Sequence, residues 1–238
     1  MVTSSRLAAE VDPTSMPSLY DAELRDLVDD ARRQEDIVGV LLTGSLARGD
    51  ALPGTDIDLR FILTDGLSRP PRSVQRAGVM VDHGYADEAT ARSKLDTHPM
   101  NVYAYLDGRI LYDPHGVLAR LRGLAQQRFD DYRVPDEIRS AMAARLRYPL
   151  AKIRVAMSGG DLLKAAFVTG TCSWQIMEGL WAANNLPLPP NSSVRPHLRD
   201  LSGPPDVESL YRHLFLADAE HRVRVALQLM DWILAKLS

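Results

Sequence analysis

The chain has 238 residues, of which 45% are hydrophobic, with 28 Lys and Arg against 31 Asp and Glu for a net charge of −3. These totals suit one large or two small folded domains and give no overall field that would draw in nucleic acid. The single Cys172 excludes an internal disulfide and a cysteine-based metal site, no apolar run is long enough to span a membrane, and Arg6, Glu10 and Asp12 interrupt any secretory pattern, so the cytoplasm is the expected compartment.

Residues 1–16 are polar and read as a loose tail with room for a short helix around 7–11. From 18 to about 34, Leu24, Leu27 and Val28 recur at helical spacing, and Arg32 and Arg33 fall in the last turn, where cations suit the helix dipole. An apolar run through Val40, Leu41 and Leu42 then reads as a buried strand, broken at Gly44-Ser45. Gly44 allows a sharp bend and a close approach of backbone to ligand. Ser45 is a suitable N-cap for a short helix through Leu46, Ala47 and Arg48, and free N–H groups at such a start favour a phosphate.

After a polar loop with Pro53 and Gly54 a second strand is expected. Asp56 and Asp58, two apart, share one of its faces, while Ile57 and Leu59 point to a core. Two carboxylates on one face repel each other unless a cation lies between them, and hard oxygen ligands beside a phosphate-binding bend fit Mg²⁺. The plainer alternative is a capped loop followed by a solvated strand edge.

Gly44-Ser45, ten intervening residues and then Asp56-Ile57-Asp58-Leu59 resemble the signature of the polymerase-beta-like nucleotidyltransferase superfamily. The longer form Gly44-Ser45-Leu46-Ala47-Arg48-Gly49 is similar to its small bacterial members, among them aminoglycoside and lincosamide nucleotidyltransferases and the minimal enzymes of toxin–antitoxin pairs. A weaker likeness runs from Asp82 through Tyr112-Asp113-Pro114 into the C-terminal helices. The resemblance implies an α/β (α+β) fold: a nucleotidyltransferase domain with a mixed sheet and flanking helices over 17–134, then an antiparallel helical bundle over 135–238 that binds the substrate.

Between these motifs, residues 66–76 read as a Pro- and Arg-rich connection (Arg69, Arg72, Arg76), either a solvated loop or an arginine contribution to triphosphate binding. Residues 78–85 read as a third strand. Asp82 on it is the third carboxylate, which the resemblance makes either a metal ligand or the general base; a strand-end acid is the bland reading, and Asp87 is the reserve. His83 faces the other side and reads as structural. A helix over 87–95, two short strands around Asp107-Gly108 within 102–112, and a helix over 117–129 follow, with Asp113 expected to be positional.

Beyond Pro135 the chain reads as helical. Ile138, Met142, Leu146, Leu150, Ile153 and Met157 form one apolar stripe, with Pro149 a kink. Asp161 caps a helix carrying Leu163, Phe167, Trp174, Met177 and Trp181, and two further helices are expected over about 206–215 and 217–237.

The resemblance implies Mg²⁺-dependent transfer of a nucleoside monophosphate from a nucleoside triphosphate, ATP by default, to a hydroxyl of a small molecule such as an aminoglycoside-like antibiotic. Asp56, Asp58 and Asp82 hold the metal in this reading. Gly44, Ser45 and Arg48 hold the phosphates, with Lys152 and Lys164 as further phosphate contacts. Glu178 could meet a cationic acceptor. Two alternatives stay open: a protein- or RNA-modifying nucleotidyltransferase, against whose RNA version the absence of a basic stripe counts, and a noncatalytic partner-binding protein that keeps the fold.

Overall fold

In the computed structural model, which describes residues 16–237, the strands all fall in the first part of the chain and the last part is helical. Two units divide between Gln127 and Arg128. The tail and short helix expected before Met16 lie outside the described residues, and Met16 itself opens the first helix.

In the first unit α1 (Met16–Arg32) is followed by β1 (Ile37–Thr43), the short α2 (Gly44–Arg48), β2 (Ile57–Leu63), β3 (Arg72–Arg76) and β4 (Val79–Asp87). Then come α3 (Glu88–Thr97), α4 (Val102–Leu106), β5 (Arg109–Tyr112) and α5 (Val117–Asp130). The sheet runs β3-β4-β2-β1-β5, with β2 and β4 parallel and the other pairs antiparallel. The mostly apolar β1 and β2 are what a strand covered on both faces requires. On one face Tyr20, Leu24, Leu27 and Ala31 of α1 pack with Val40, Leu42, Ile57, Leu59 and Phe61. On the other, Gly39 lies so close to Leu118 of α5 that a β-carbon there would stand 3.0 Å from Leu118 Cδ1.

Two sequence expectations are corrected here. Part of the segment read as a connection over 66–76 is the edge strand β3. Its residues are polar because an edge strand faces water, which hides it from a search for apolar runs. Ala77 (φ 45°) and Gly78 (φ 84°) close the β3–β4 hairpin, the two left-handed residues that a type I′ turn needs. Second, the first half of 102–112 is the helix α4, and only the second half is a strand. A single helical turn at Pro99–Asn101, opened by Pro99, leads into it. A β-carbon on Gly108 would meet the Ala104 carbonyl oxygen at 2.4 Å, so the helix and β5 join without room for a side chain.

The second unit contains α6 (Asp136–Ser158, with Pro149 inside), α7 (Leu162–Ala183), α8 (Val207–Leu216) and α9 (Ala219–Leu237). Its core joins Leu146 and Ile153 of α6, Ile176, Leu180 and Trp181 of α7, Leu214 of α8, and Met230 and Ile233 of α9. Gly179 lets α7 approach its neighbours: a β-carbon there would lie 2.9 Å from Leu146 Cδ1 and 3.0 Å from Ile233 Cγ2. The expected stripes are only partly buried. Ile138 and Leu163, both in the first turn of their helices, and Phe167 are exposed. Asp161 accepts a hydrogen bond from the Lys164 N–H at 3.0 Å and caps α7. No helix among the described residues is long and apolar enough to cross a membrane.

Candidate active site

The site begins where β1 stops. Thr43 pairs with Asp58 on the antiparallel β2, and Gly44 turns the chain with φ +72°. A β-carbon on Gly44 would lie 2.1 Å from Asp58 Oδ2, so only glycine lets the bend approach that carboxylate. The N-cap of α2 is Thr43, without a side-chain cap bond, and not Ser45 as expected. The Ser45 hydroxyl is instead shared with Thr55 Oγ1 at 2.9 Å, and the Tyr20 hydroxyl donates to the Thr55 carbonyl at 2.9 Å, so the loop before β2 is clipped onto the bend.

Parallel pairing sets Asp58 directly beside Asp82. Both point to the same face, and Asp56, just ahead of β2, joins them. One carboxylate oxygen from each of the three lies within 4.8 Å of the others. Asp56 is exposed and the other two are half-buried. Burial raises the Asp58 carboxyl above its ordinary value, the like charges of Asp56 and Asp82 raise it further, and Arg60 and Arg48 oppose them. Asp82 Oδ1 is buried with no hydrogen-bond partner among the described residues. Such an oxygen is costly unless a ligand meets it, and three clustered carboxylates fit a hard divalent cation such as Mg²⁺.

A cleft of ≈ 480 Å³ opens over these acids, with Thr43, Asp58, Arg60, Arg72, Ser73 and Asp82 among its walls. Arg60 follows Asp58 by two residues on β2 and stands over the ring of the buried Tyr105 at 5.8 Å. Strand alternation could have singled it out in the sequence. Ser73 is paired with Asp82 across the β3–β4 hairpin and was hidden with its unrecognised strand.

Other expected residues lie in different settings. Arg48 has a side chain only 9% exposed, with Nε 3.2 Å from Asp50 and Nη1 4.0 Å from Asp107. Its charge reaches Asp58, but its guanidinium is engaged by these acids. Asp87, the reserve acid, accepts from the Thr90 N–H at 2.8 Å and the Gly66 N–H at 2.9 Å and caps α3; the Thr90 side chain first, and then these two N–H groups, hold its carboxyl below the ordinary value. Asp113 accepts from the N–H groups of Leu118 (3.1 Å) and Ala119 (3.0 Å) at the start of α5.

Lys152 and Lys164 belong to the second unit, where the Lys152 ammonium stands 5.3 Å over the Tyr148 ring. Glu178 is paired with Arg145 there. Trp181 is fully buried while Trp174 is 38% exposed, so the two tryptophans do not share one environment.

Residues 24–106 match the nucleotidyltransferase domain family. Among solved structures, the chain is similar to a nucleotidyltransferase-like protein from Exiguobacterium sibiricum 255-15, with 17% identity, a TM-score of 0.43 and coverage of 93% of this chain and 74% of that one. No curated protein matches it.

Proposed function

The chain carries a nucleotidyltransferase domain of the polymerase-beta-like superfamily over residues 24–106, and on that premise we propose that it moves a nucleoside monophosphate from a nucleoside triphosphate such as ATP to a hydroxyl of a small polyhydroxylated molecule. The observation that carries the proposal is the gathering of Asp56, Asp58 and Asp82 within 4.8 Å opposite the Gly44-Ser45 bend. These three acids would hold Mg²⁺, which when bound acidifies the attacking hydroxyl and neutralises the triphosphate.

In the reaction the acceptor oxygen bonds to the α-phosphorus, the bond from that phosphorus to the bridging oxygen breaks, and pyrophosphate leaves. The hydroxyl proton goes to a carboxylate, and Asp82, with its buried unpartnered oxygen, suits that role or the metal-binding one. Gly44 and Ser45 present backbone N–H groups at the start of α2 to the phosphates. Arg48 acts through its charge and by steadying the bend between Asp50 and Asp107.

The test incubates the chain with labelled triphosphates, Mg²⁺ and a panel of hydroxyl acceptors. Label transfer in the wild type, lost in D56N and D58N, is the expected result. A chain that neither transfers label nor is stabilised by millimolar nucleotide with Mg²⁺ is instead a noncatalytic binding protein.

A further inference from the structure

The sheet has a second polar pocket, on the face away from the acids. Successive residues of β4 face opposite sides, so His83 and Tyr85 lie across the sheet from Asp82, on the face that α1 covers. Register pairs Arg72 with His83 and Arg76 with Val79, which sets both arginines of β3 on the α1 face as well. A cavity of ≈ 210 Å³ lies there. Toward the middle of the sheet its wall is apolar, from Leu27, Ile37 and Phe61. Toward the β3 edge it is polar, from Arg72, Arg76 and His83.

The charges around this cavity leave one cation over. Asp30, also on the wall, accepts from Arg33 at 2.6 Å and from Arg76 at 3.1 Å, and Glu23 lies 3.3 Å from Arg76. Arg69, over the ring of Tyr85, pairs with Asp36. Arg72 has no carboxylate partner among the described residues. Its Nε donates to His83 Nδ1 at 2.8 Å. An arginine tied at Nε keeps its two terminal amino groups as a planar fork, the geometry that grips a carboxylate with two charge-assisted bonds.

His83 is an independent sign of a ligand. It is 4% exposed and borders the cavity. Because Nδ1 accepts from Arg72, the ring proton resides on Nε2, and that buried nitrogen has no hydrogen-bond partner among the described residues. A buried donor without an acceptor is costly until a ligand atom meets it. The volume is below the roughly 300–1,000 Å³ of sites for drug-sized molecules, so it suits a single ring or a short chain.

We propose that this cavity is a second ligand site, separate from the acid-lined cleft, for a small organic monoanion: a carboxylate that Arg72 grips, carried on a compact apolar body that lies against Leu27 and Phe61. The proposal does not depend on nucleotidyl transfer. An inorganic anion would leave the apolar wall unfilled, a neutral ring would leave the fork of Arg72 unmet, and a polyanion would meet Asp30 as a like charge.

Benzoate is the probe, titrated by calorimetry into the full chain without Mg²⁺ or nucleotide. The wild type should bind it saturably, and benzamide, of the same size without the charge, about tenfold more weakly. R72Q should weaken benzoate about tenfold. A31L, which fills the cavity from α1, should abolish binding. D58N, on the opposite face of the sheet, should leave benzoate affinity within about twofold. The proposal is overturned if the wild type binds no benzoate, if benzamide binds as well, if R72Q or a folded A31L binds benzoate unchanged, or if D58N abolishes binding, which would move the probe to the acid cleft. Where A31L fails to fold, benzamide and R72Q decide.

Discussion

Gly44 and Asp58 are in such close approach that a methyl group on the first would overlap the carboxylate of the second, with 2.1 Å between centres. The backbone there is also left-handed, at φ +72°. Gly44→Ala should therefore cost about 1–3 kcal/mol of stability and displace Asp58. Chemical denaturation reads the first effect and Mg²⁺-dependent nucleotide binding the second. A variant with wild-type stability and affinity would show that the bend tolerates a side chain.

Asp58→Asn should behave differently, since it removes charge without adding bulk. Burial and the two neighbouring acids raise the Asp58 carboxyl above 3.8, so the folded chain holds that proton more readily than the unfolded one. Without metal, stability from this group is greatest at low pH and falls as pH rises through the raised value. D58N should melt at the same temperature as the wild type or higher at neutral pH, and Mg²⁺ should raise the melting temperature of the wild type but not of D58N. Thermal melts with and without Mg²⁺ check both halves.

His83 gives acid sensitivity of the opposite sign. Burial first, then the charges of Arg72 and Arg76, lower it from 6.5 to about 4, against a small opposing pull from Asp82. The cavity beside it is also lined by Asp30 and Tyr85. The unfolded chain binds this proton first, so the contribution is complete above pH 6.5 and disappears as pH falls toward 4, by up to about 3 kcal/mol. The stability of H83Q should change less steeply over that window than that of the wild type. Identical slopes would remove His83 as the source.

Away from the cleft, Asp113→Ala should cost about 1–2 kcal/mol by freeing the two N–H groups at the start of α5, with kcat unchanged. In the helical unit, Gly179→Ala should cost about 1–3 kcal/mol, because Leu146 and Ile233 already press on that position. Equilibrium unfolding measures each.

The period-two alternation made Asp56 and Asp58 legible as a pair, because their spacing alone puts them on one face. Asp82 was legible as an acid on the next apolar strand. Its place beside Asp58 depends on register, which hydrogen bonds across β2 and β4 decide. Ser45 looked like a cap because its type favours that position, yet its hydroxyl is taken by Thr55 from a loop ten residues away, a nonlocal contact that propensity does not carry. Arg72 and Ser73 were hard to place for a related reason: a polar edge strand has no apolar signature. In α4, Val102-Tyr103-Ala104-Tyr105-Leu106 is apolar throughout, so a strand and a buried helix fit it equally well until its packing is known.

The tight hairpin at Ala77-Gly78 carries more than a reversal of direction. Side chains alternate along β4, so adding or deleting one residue in that turn and letting the strand slide by a step would bring the His83 imidazole and the Tyr85 phenol to the cleft and bury an acid beside Phe61. The polarity of both layers of the sheet hangs on the length of a two-residue corner that touches neither.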